Sequence, residues 1–293
     1  MNISFPYVDR NTVKLLRIPF SFFLMPVYFL AVSQSSVWNS NTQRRALFIF
    51  FILHLFIYPA SNGYNSFMDQ DEGSIGGLKN PPKATGKLFF VSILFDVLGL
   101  VLSACLGLQF FLGIALYILV SRAYSWKGIR LKKYPIWGFL SVILFQGAIT
   151  FSNVLVGIYQ IDHKTVFSLF YFPAVASSLM IAGVYPLTQI YQHEQDIANG
   201  DVTISYLLGY KGTFLFSMGM FLLAGILLFF YFKPNEFLVF QLFLAPVAVY
   251  FVYWMWKVWQ NTYYADFEHT MRMNLIASIC MNACFITLFF LSR

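Results

Sequence analysis

Long apolar segments restrict the fold of this chain more than any other feature of its sequence. A helix that crosses a bilayer needs roughly 20 mostly apolar residues. Nine segments come close to that length, at residues 15–34, 44–61, 87–106, 108–122, 135–157, 165–190, 212–231, 237–258 and 272–291. The third and fourth almost touch, so their combined length predicts a hairpin with a tight turn around Gly107. We therefore expect an all-α membrane protein built as a bundle of nine transmembrane helices.

The composition favours the same fold class. Only 11% of the 293 residues are charged, whereas soluble domains carry about 25%. Phenylalanine and tyrosine are abundant, with 35 and 18 residues. Most such rings in a membrane protein face lipid or pack between helices, but they also suit the walls of an apolar cavity. We expect residues 1–293 to form one domain with a central apolar cavity beneath a polar cap.

The positions of the basic residues predict the orientation of the helices. With the N-terminus inside, most of the 19 Lys and Arg residues fall on the inner side, as the positive-inside rule requires. The net charge of +7 is therefore a sign of membrane topology and not of nucleic-acid binding. We expect the functional loops to be cytoplasmic, at the inner membrane if the protein is bacterial. The basic residues left for the outer side are Arg44, Arg45, Lys164, Lys233 and Arg293.

The end of the second apolar segment carries a concentrated group of polar and acidic residues. If the helix continues, Asn65 and Asp69 are four residues apart and share one face, with Asn62 one turn earlier. Asp71 and Glu72 follow at once. An amide and a carboxylate that face the same way at a membrane boundary are typical of a site for a metal and a polyphosphate.

A second polar group lies at the end of the sixth apolar segment. Tyr185, Gln189, Gln192 and Asp196 are spaced as one stripe along a helix, and Glu194 lies between the last two. A polar stripe on an apolar helix is expected to face the interior of the bundle. For Glu194 and Asp196, a solvated helix end explains the sequence equally well.

Two acidic groups on one side of a membrane, with basic residues between them, suit a diphosphate. Mg²⁺ binds carboxylate and phosphate oxygens, and Lys79, Arg122 and Lys132 would neutralise the remaining charge. An apolar cavity below would hold a hydrocarbon tail. This arrangement predicts ionisation of an allylic diphosphate, in which the metal stabilises the leaving group and a dry cavity shields the cation.

Three sequence patterns point to one family. Asn65 and Asp69 fit Asn-Asp-xx-Asp-xxx-Asp, with Ser66 and Gly73 at its first and last acidic positions. Residues 124–133 are similar to Tyr-Ser-Pro-Pro-x-Arg-Leu-Lys, and residues 200–209 to Gly-Lys-x-Thr-x-x-x-x-Leu-Gly. With the nine helices, these patterns resemble the UbiA superfamily of intramembrane prenyltransferases over essentially the whole chain.

The second acidic motif of that family is altered in this sequence. Asp196 matches its last acidic position, but Gln192 and Tyr185 stand at the two earlier ones. Glu194 is the only acid nearby that could compensate. An amide offers a metal only a neutral oxygen, so the second motif is weaker as a metal site than its usual form.

The resemblance implies transfer of a prenyl group from an allylic prenyl diphosphate to an aromatic or lipid acceptor, with Mg²⁺ as cofactor. It implies catalytic roles for Asn65, Asp69 and Asp196. Metal ligands would come from Asn65, Asp69, Asp71, Glu72, Gln192, Glu194 and Asp196. Contacts to substrate would come from Lys79, Arg122, Tyr124, Arg130, Lys132, Tyr185 and Gln189.

Other functions fit parts of the same sequence. A terpene cyclase of the same fold would quench the cation internally, without a separate acceptor. The altered second motif is also compatible with a non-catalytic membrane transporter or lipid-binding protein. A CDP-alcohol phosphotransferase is disfavoured because its Asp-Gly-xx-Ala-Arg pattern is missing.

Two further groups of ionisable residues have less specific patterns. Asp96 lies inside the third apolar segment, where a charge needs a partner, and we favour a buried structural role for it. Asp266, Glu268 and His269 precede the last segment and have the residue types of a metal site. Their position favours a helix start or a salt bridge.

Overall fold

The computed structural model describes residues 9–35 and 37–291, so Arg293, assigned above to the outer side, lies outside it. Within the described residues, nine helices are long and apolar enough to cross a membrane. They are α1 (Arg10–Ser33), α2 (Ser40–Asp69), α3 (Gly86–Ala104), α4 (Leu108–Ser125), α5 (Pro135–Tyr159), α6 (Tyr171–Ala198), α7 (Ile204–Tyr231), α8 (Pro234–Gln260) and α9 (Phe267–Leu291). The all-helical bundle predicted from the sequence is confirmed.

Several helix boundaries follow from local capping chemistry. Asn39 accepts hydrogen bonds from the N–H groups of Asn41 and Thr42, and the Thr42 hydroxyl accepts one from the N–H of Asn39, which starts α2. Gly107 takes the predicted turn between α3 and α4 with φ +105°, a conformation that favours glycine. Sequence reasoning located this hairpin because the turn residue and the two apolar lengths agree.

The predicted start of the sixth helix is wrong. A short helix, His163–Leu169, ends before Phe170, and α6 begins at Tyr171. Pro173 explains the break, because it has no N–H to donate to the carbonyl of Leu169 four residues earlier, and its ring would clash with that carbonyl. Apolar content continues across the break, so the sequence suggested one continuous helix.

The helices that carry the two polar groups are the most enclosed. In both α2 and α6, 56% of the residues in the apolar window are buried, compared with 22% in α8. Large buried side chains around them include Tyr58, Phe110 and Phe151. Both helices also continue past their apolar segments, to Asp69 and Ala198, and therefore carry polar residues to one end of the bundle.

The two helix ends have different geometry. In α2, the chain stays helical through Asp69, and Gln70 ends the helix with φ +54°. In α6, Pro186 lies inside the helix and the segment Ile190–Gln192 tightens into a 3₁₀ turn before the helix resumes. A proline removes one backbone hydrogen bond and commonly bends a helix, so the end of α6 departs from a straight axis.

Candidate active site

A polar cavity of about 110 Å³ lies where α2 and α6 end. It brings together both polar groups identified in the sequence, along with residues from α1 and the connecting loops. The predicted residues that line it are Asn65, Asp69, Asp71, Tyr124, Lys132, Tyr185, Gln189, Gln192 and Asp196. The lining also includes Arg17, Ile75, Gly76, Asp201 and Thr203.

Asn65 and Asp69 lie on the face of α2 that borders this cavity. The Ser125 hydroxyl donates a hydrogen bond to Asn65 Oδ1 over 2.6 Å, which fixes the amide. The Asp69 side chain is only 2% exposed, and its Oδ2 lies 2.7 Å from Lys132 Nζ. Asp69 Oδ1 is buried, accepts no hydrogen bond and lies 3.7 Å from Arg130 Nη1, so it can still accept a direct contact from a cation.

Arg130 and Lys132 connect the two helix ends through an acid that the sequence prediction did not select. Arg130 donates from Nε and Nη2 to both carboxylate oxygens of Asp201, each over 2.8 Å, in the paired geometry typical of arginine. Lys132 Nζ lies 3.0 Å from Asp201 Oδ2. Although burial opposes the ammonium charge, the carboxylates of Asp69 and Asp201 outweigh it and raise the pKa of Lys132.

A signal for Asp201 was present in the sequence. In the pattern Gly-Lys-x-Thr, an acid occupies the position of the lysine, between Gly200 and Thr203. Asp201 is 1% exposed, and Thr203 begins α7 by accepting a hydrogen bond from the N–H of Tyr206. The chain turn between α6 and α7 therefore inserts a fourth carboxylate into the cavity.

Asp71 reaches the cavity because Gln195 holds it there. Gln195 Nε2 donates to Asp71 Oδ1 over 2.7 Å. At Gly73, where the family pattern has its last acid, a Cβ atom would lie 2.5 Å from Gln195 Oε1. Any larger residue there would displace Gln195, so Asp71 and Gln195 together occupy the space of the missing acid. Burial, and next the charge of Asp69, raise the pKa of Asp71 to about 6.

The loop formed by residues 70–85 is fastened over the cavity from two helices. Gln192 Nε2 donates to the carbonyl of Ser74 over 3.0 Å. Arg17 donates to the carbonyl of Gly76 over 3.1 Å and to that of Asn62 over 3.3 Å. Gln192 therefore uses its nitrogen to hold the loop, which leaves only its neutral amide oxygen for a metal.

A second cavity of about 150 Å³ lies directly beneath the polar one. Arg17, Asn65, Tyr124 and Tyr185 line both, and the hydroxyls of the two tyrosines are 2.5 Å apart at their junction. An apolar cavity of the same volume binds benzene in an engineered protein, so this space suits about one isoprene unit. Its walls mix aromatic and polar side chains, namely Ser61, Asn62, Tyr117, Ser121, Ser125, Ser141, Phe145 and Gln146.

The chain matches one known protein family over most of its length. A family model described as the UbiA prenyltransferase family matches residues 20–276, which is most of the chain. The chain belongs to the UbiA prenyltransferase family. The resemblance found in its motifs is therefore confirmed. None of the curated proteins compared with the chain matches it.

Solved structures of UbiA homologues have the same fold. An apo homologue from Aeropyrum pernix K1 is 18% identical, with a TM-score of 0.69, and the match covers 92% of this chain and 98% of that one. A homologue from Archaeoglobus fulgidus bound to DMAPP and Mg²⁺ is 17% identical, with a TM-score of 0.67, covering 96% and 99%. A protein studied as digeranylgeranylglyceryl phosphate synthase is 18% identical, with a TM-score of 0.57, covering 97% and 98%.

The cavity lining leaves out five residues predicted for the site of this UbiA family member, namely Glu72, Lys79, Arg122, Arg130 and Glu194. Glu72 and Glu194 are exposed. Lys79 donates to Glu268 over 2.8 Å, and both side chains are more than half exposed, at 62% and 58%. The structure therefore places Lys79 in a surface ion pair between the loop 70–85 and α9.

Arg122 also has partners of its own within the bundle. It forms an ion pair with Asp96 of α3, and its guanidinium lies 4.0 Å from the ring centroid of Tyr64. Its Nη1 donates to the carbonyl of Ala60. The pairing supplies the partner that Asp96 needs in the membrane, and it directs Arg122 towards α3.

The acids at the start of α9 stabilise that helix start. Asp266 accepts hydrogen bonds from the N–H and the Nδ1 of His269, each over 2.8 Å. Across residues 9–35 and 37–291, no three His, Cys, Asp or Glu side chains form a ready-made cation site. Mg²⁺ commonly uses only one or two carboxylates plus substrate phosphates, so the carboxylates of the polar cavity still fit it.

Proposed function

We propose that the protein is a Mg²⁺-dependent membrane prenyltransferase that uses an allylic prenyl diphosphate as donor. The observation that carries this proposal is the junction of two cavities. A polar one lined by four carboxylates and two basic side chains, Arg17 and Lys132, meets a larger one with aromatic and polar walls at Tyr124 and Tyr185. A diphosphate and the first isoprene unit attached to it have matching polarity and length. The homologue bound to DMAPP and Mg²⁺ supports this donor class.

Mg²⁺ would be held mainly by Asp69, with the oxygens of Asn65 and Asp71 beside it and Asp196 at the cavity edge. When bound, the ion neutralises charge on the diphosphate and makes it a better leaving group. Gln192 would contribute little because it offers only a neutral amide oxygen, while its amide nitrogen holds the Ser74 carbonyl.

The basic residues of the cavity complete the diphosphate site. Arg17 and Lys132 line the polar cavity and can donate to phosphate oxygens. Arg130 would position other groups and not contact the diphosphate itself, since its guanidinium holds Asp201 and lies 3.7 Å from Asp69. Fixed donors in a buried site stabilise developing negative charge without further reorganisation.

The inner cavity would receive the allylic cation. Rings of Tyr117, Tyr124 and Tyr185 border it, and aromatic faces attract a cation. The Tyr124–Tyr185 hydrogen bond closes the passage between the two cavities, which limits water at the reacting carbon. An acceptor, aromatic or lipid, would attack this carbon and release a proton.

Because one relative was studied as a synthase of a glyceryl phosphate lipid, a lipid acceptor is a reasonable first choice for testing. We further propose that the polar end of the bundle faces the cytoplasm, as the distribution of Lys and Arg indicates. Reagents that modify lysine from one side of sealed membrane vesicles would test this orientation.

The test uses the purified protein with allylic diphosphates of increasing length, starting with DMAPP. We expect Mg²⁺-dependent release of diphosphate that stops when EDTA removes the metal and resumes when Mg²⁺ is restored. Mass spectrometry of lipids from cells with and without the gene would identify the prenylated product. Release without any acceptor, together with a hydrocarbon product, would instead indicate a cyclase. Protein that neither binds nor cleaves any of these donors would refute the proposal.

A further inference from the structure

One basic group lies at the centre of the polar cavity and touches acids from both motifs. Lys132 Nζ is 2.7 Å from Asp69 Oδ2, at the end of α2, and 3.0 Å from Asp201 Oδ2, after α6. The Lys132 side chain is only 12% exposed. A positive charge that bridges these two carboxylates occupies the position that a metal shared by the two motifs would need.

The surrounding oxygens are arranged for a cation with more ligands than an ammonium group uses. Asp69 Oδ1 is buried and accepts no hydrogen bond. Gln189 is 7% exposed, lines the same cavity, and its Oε1 also has no donor. Lys132 therefore leaves two buried acceptor oxygens unsatisfied, which is costly for a polar group inside a protein.

We propose that Lys132 and a divalent cation compete for the same pair of carboxylates, Asp69 and Asp201, and that bound diphosphate decides the competition by drawing the ammonium away. The inference rests on the proposed function, because it needs a diphosphate in the polar cavity. It also assigns Asp201 as the acid that completes the second motif, in which Gln192 replaces an acid.

Lys132 and a divalent cation compete because both are positively charged and would occupy the same space. An ammonium group and a divalent ion cannot both contact the same buried carboxylates, because their repulsion is strong where water is scarce. A diphosphate offers Lys132 several anionic oxygens in exchange. The metal and the diphosphate should therefore favour each other's binding, and by thermodynamic linkage the effect must be equal in both directions.

The test measures Mn²⁺ affinity, with buffered free metal, for the purified full-length protein in detergent. Lys132→Gln is compared with the wild type and with Lys133→Gln, which removes the neighbouring, exposed lysine. Without any diphosphate, we expect Lys132→Gln to bind Mn²⁺ about tenfold tighter or more than the wild type, within the usual range of coupling between sites. Lys133→Gln should bind as the wild type does.

A second measurement compares the wild type with Lys132→Gln, using a thio analogue of DMAPP that does not ionise. We expect the analogue to tighten Mn²⁺ binding to the wild type about tenfold or more, and to tighten it less in Lys132→Gln, where only the direct attraction between metal and diphosphate remains.

Unchanged or weaker Mn²⁺ binding in Lys132→Gln would overturn the inference. If that variant does not fold, wild-type Mn²⁺ affinity that is insensitive to the analogue would overturn it equally. Release of diphosphate from DMAPP by the wild type is scored separately. An active enzyme without this competition would leave the proposed function standing and remove only the role of Lys132.

Discussion

The ends of α2 and α6 reach the same cavity but contribute to it in different ways. α2 is a regular α-helix from Tyr58 to Asp69 and presents that carboxylate directly, with one oxygen free of hydrogen bonds. α6 is interrupted by Pro186 and a 3₁₀ turn, and two of its polar side chains, Gln192 and Gln195, bind the α2 side of the cavity instead of facing a ligand.

The difference shows how a site can lose acidic residues while hydrogen bonds from amides keep its remaining residues in place. Gln192 holds the backbone of Ser74, and Gln195 holds the carboxylate of Asp71. Of these two amides, Gln192 alone stands where the family pattern has an acid, and both hold the segment that follows α2. We therefore expect metal binding to depend mainly on the α2 side, with α6 acting as a support.

The most direct test of this difference between α2 and α6 is to neutralise one acid on each side of the cavity. We expect Asp69→Asn to lower kcat for diphosphate release about 10²–10³-fold, the scale of losing one group that stabilises charge in a transition state. Asp196→Asn should cost on the order of tenfold, because Asp196 lies half-buried at the cavity edge. Steady-state kinetics with DMAPP and Mg²⁺ would compare them.

The matched control for this pair is Glu194→Gln. Glu194 is exposed and lies two residues from Asp196, so the change removes an acid near the site without touching the cavity. We expect its kcat to equal that of the wild type. Equal losses in Asp69→Asn and Asp196→Asn would show that the two helix ends share the metal evenly.

The supporting role of α6 can be tested at Gln195, whose amide contacts Asp71. Gln195→Ala removes the side-chain amide that donates to Asp71, and we expect Mn²⁺ affinity to fall about 10–100-fold, as is typical for groups that orient metal ligands. Asn199→Ala, an exposed amide near the same helix end, serves as control. Unaltered affinity in Gln195→Ala would mean that Asp71 needs no support from α6.

The smallest expected effect concerns pH. Burial and the charge of Asp69 raise the pKa of Asp71 to about 6, so its carboxylate is charged above that pH and neutral below it. We expect Mn²⁺ affinity to decrease as the pH falls through this value, by up to about tenfold for each unit below 6. Titration of the metal at several pH values would show this.

In Asp71→Asn, Mn²⁺ should bind more weakly at pH 8 but without the change near pH 6. Persistence of the same pH dependence in that variant would assign the titration to another group. Since only the charged carboxylate binds a cation, the affinity must rise with pH and not fall.

Sequence patterns predicted the features that depend on local order. Nine apolar lengths, the hairpin at Gly107 and the shared face of Asn65 and Asp69 all follow from periodicity and turn chemistry. The stripe from Tyr185 to Asp196 also borders one cavity. These properties need no knowledge of which helix packs against which.

Features that depend on long-range packing were not predicted. Gln195 and Asp71 are 124 residues apart, and Arg130 and Asp201 are 71 apart, so neither pair has a local signal. Arg122 was expected at the diphosphate because it is basic and lies on the correct side, but the partner of a buried charge depends on the neighbouring helix. Asp96 of α3 provides that partner.

The hydrogen bonds that fasten the loop 70–85 have a consequence for turnover. Arg17, Gln192 and Gln195 hold this loop at three points, from two helices that are distant in the sequence. A product that leaves through the polar end has to wait until these contacts separate together. Separating several hydrogen bonds at once has a large activation enthalpy, so wherever loop opening limits turnover, the rate of the whole cycle would rise steeply with warming even if the bond-breaking step itself does not.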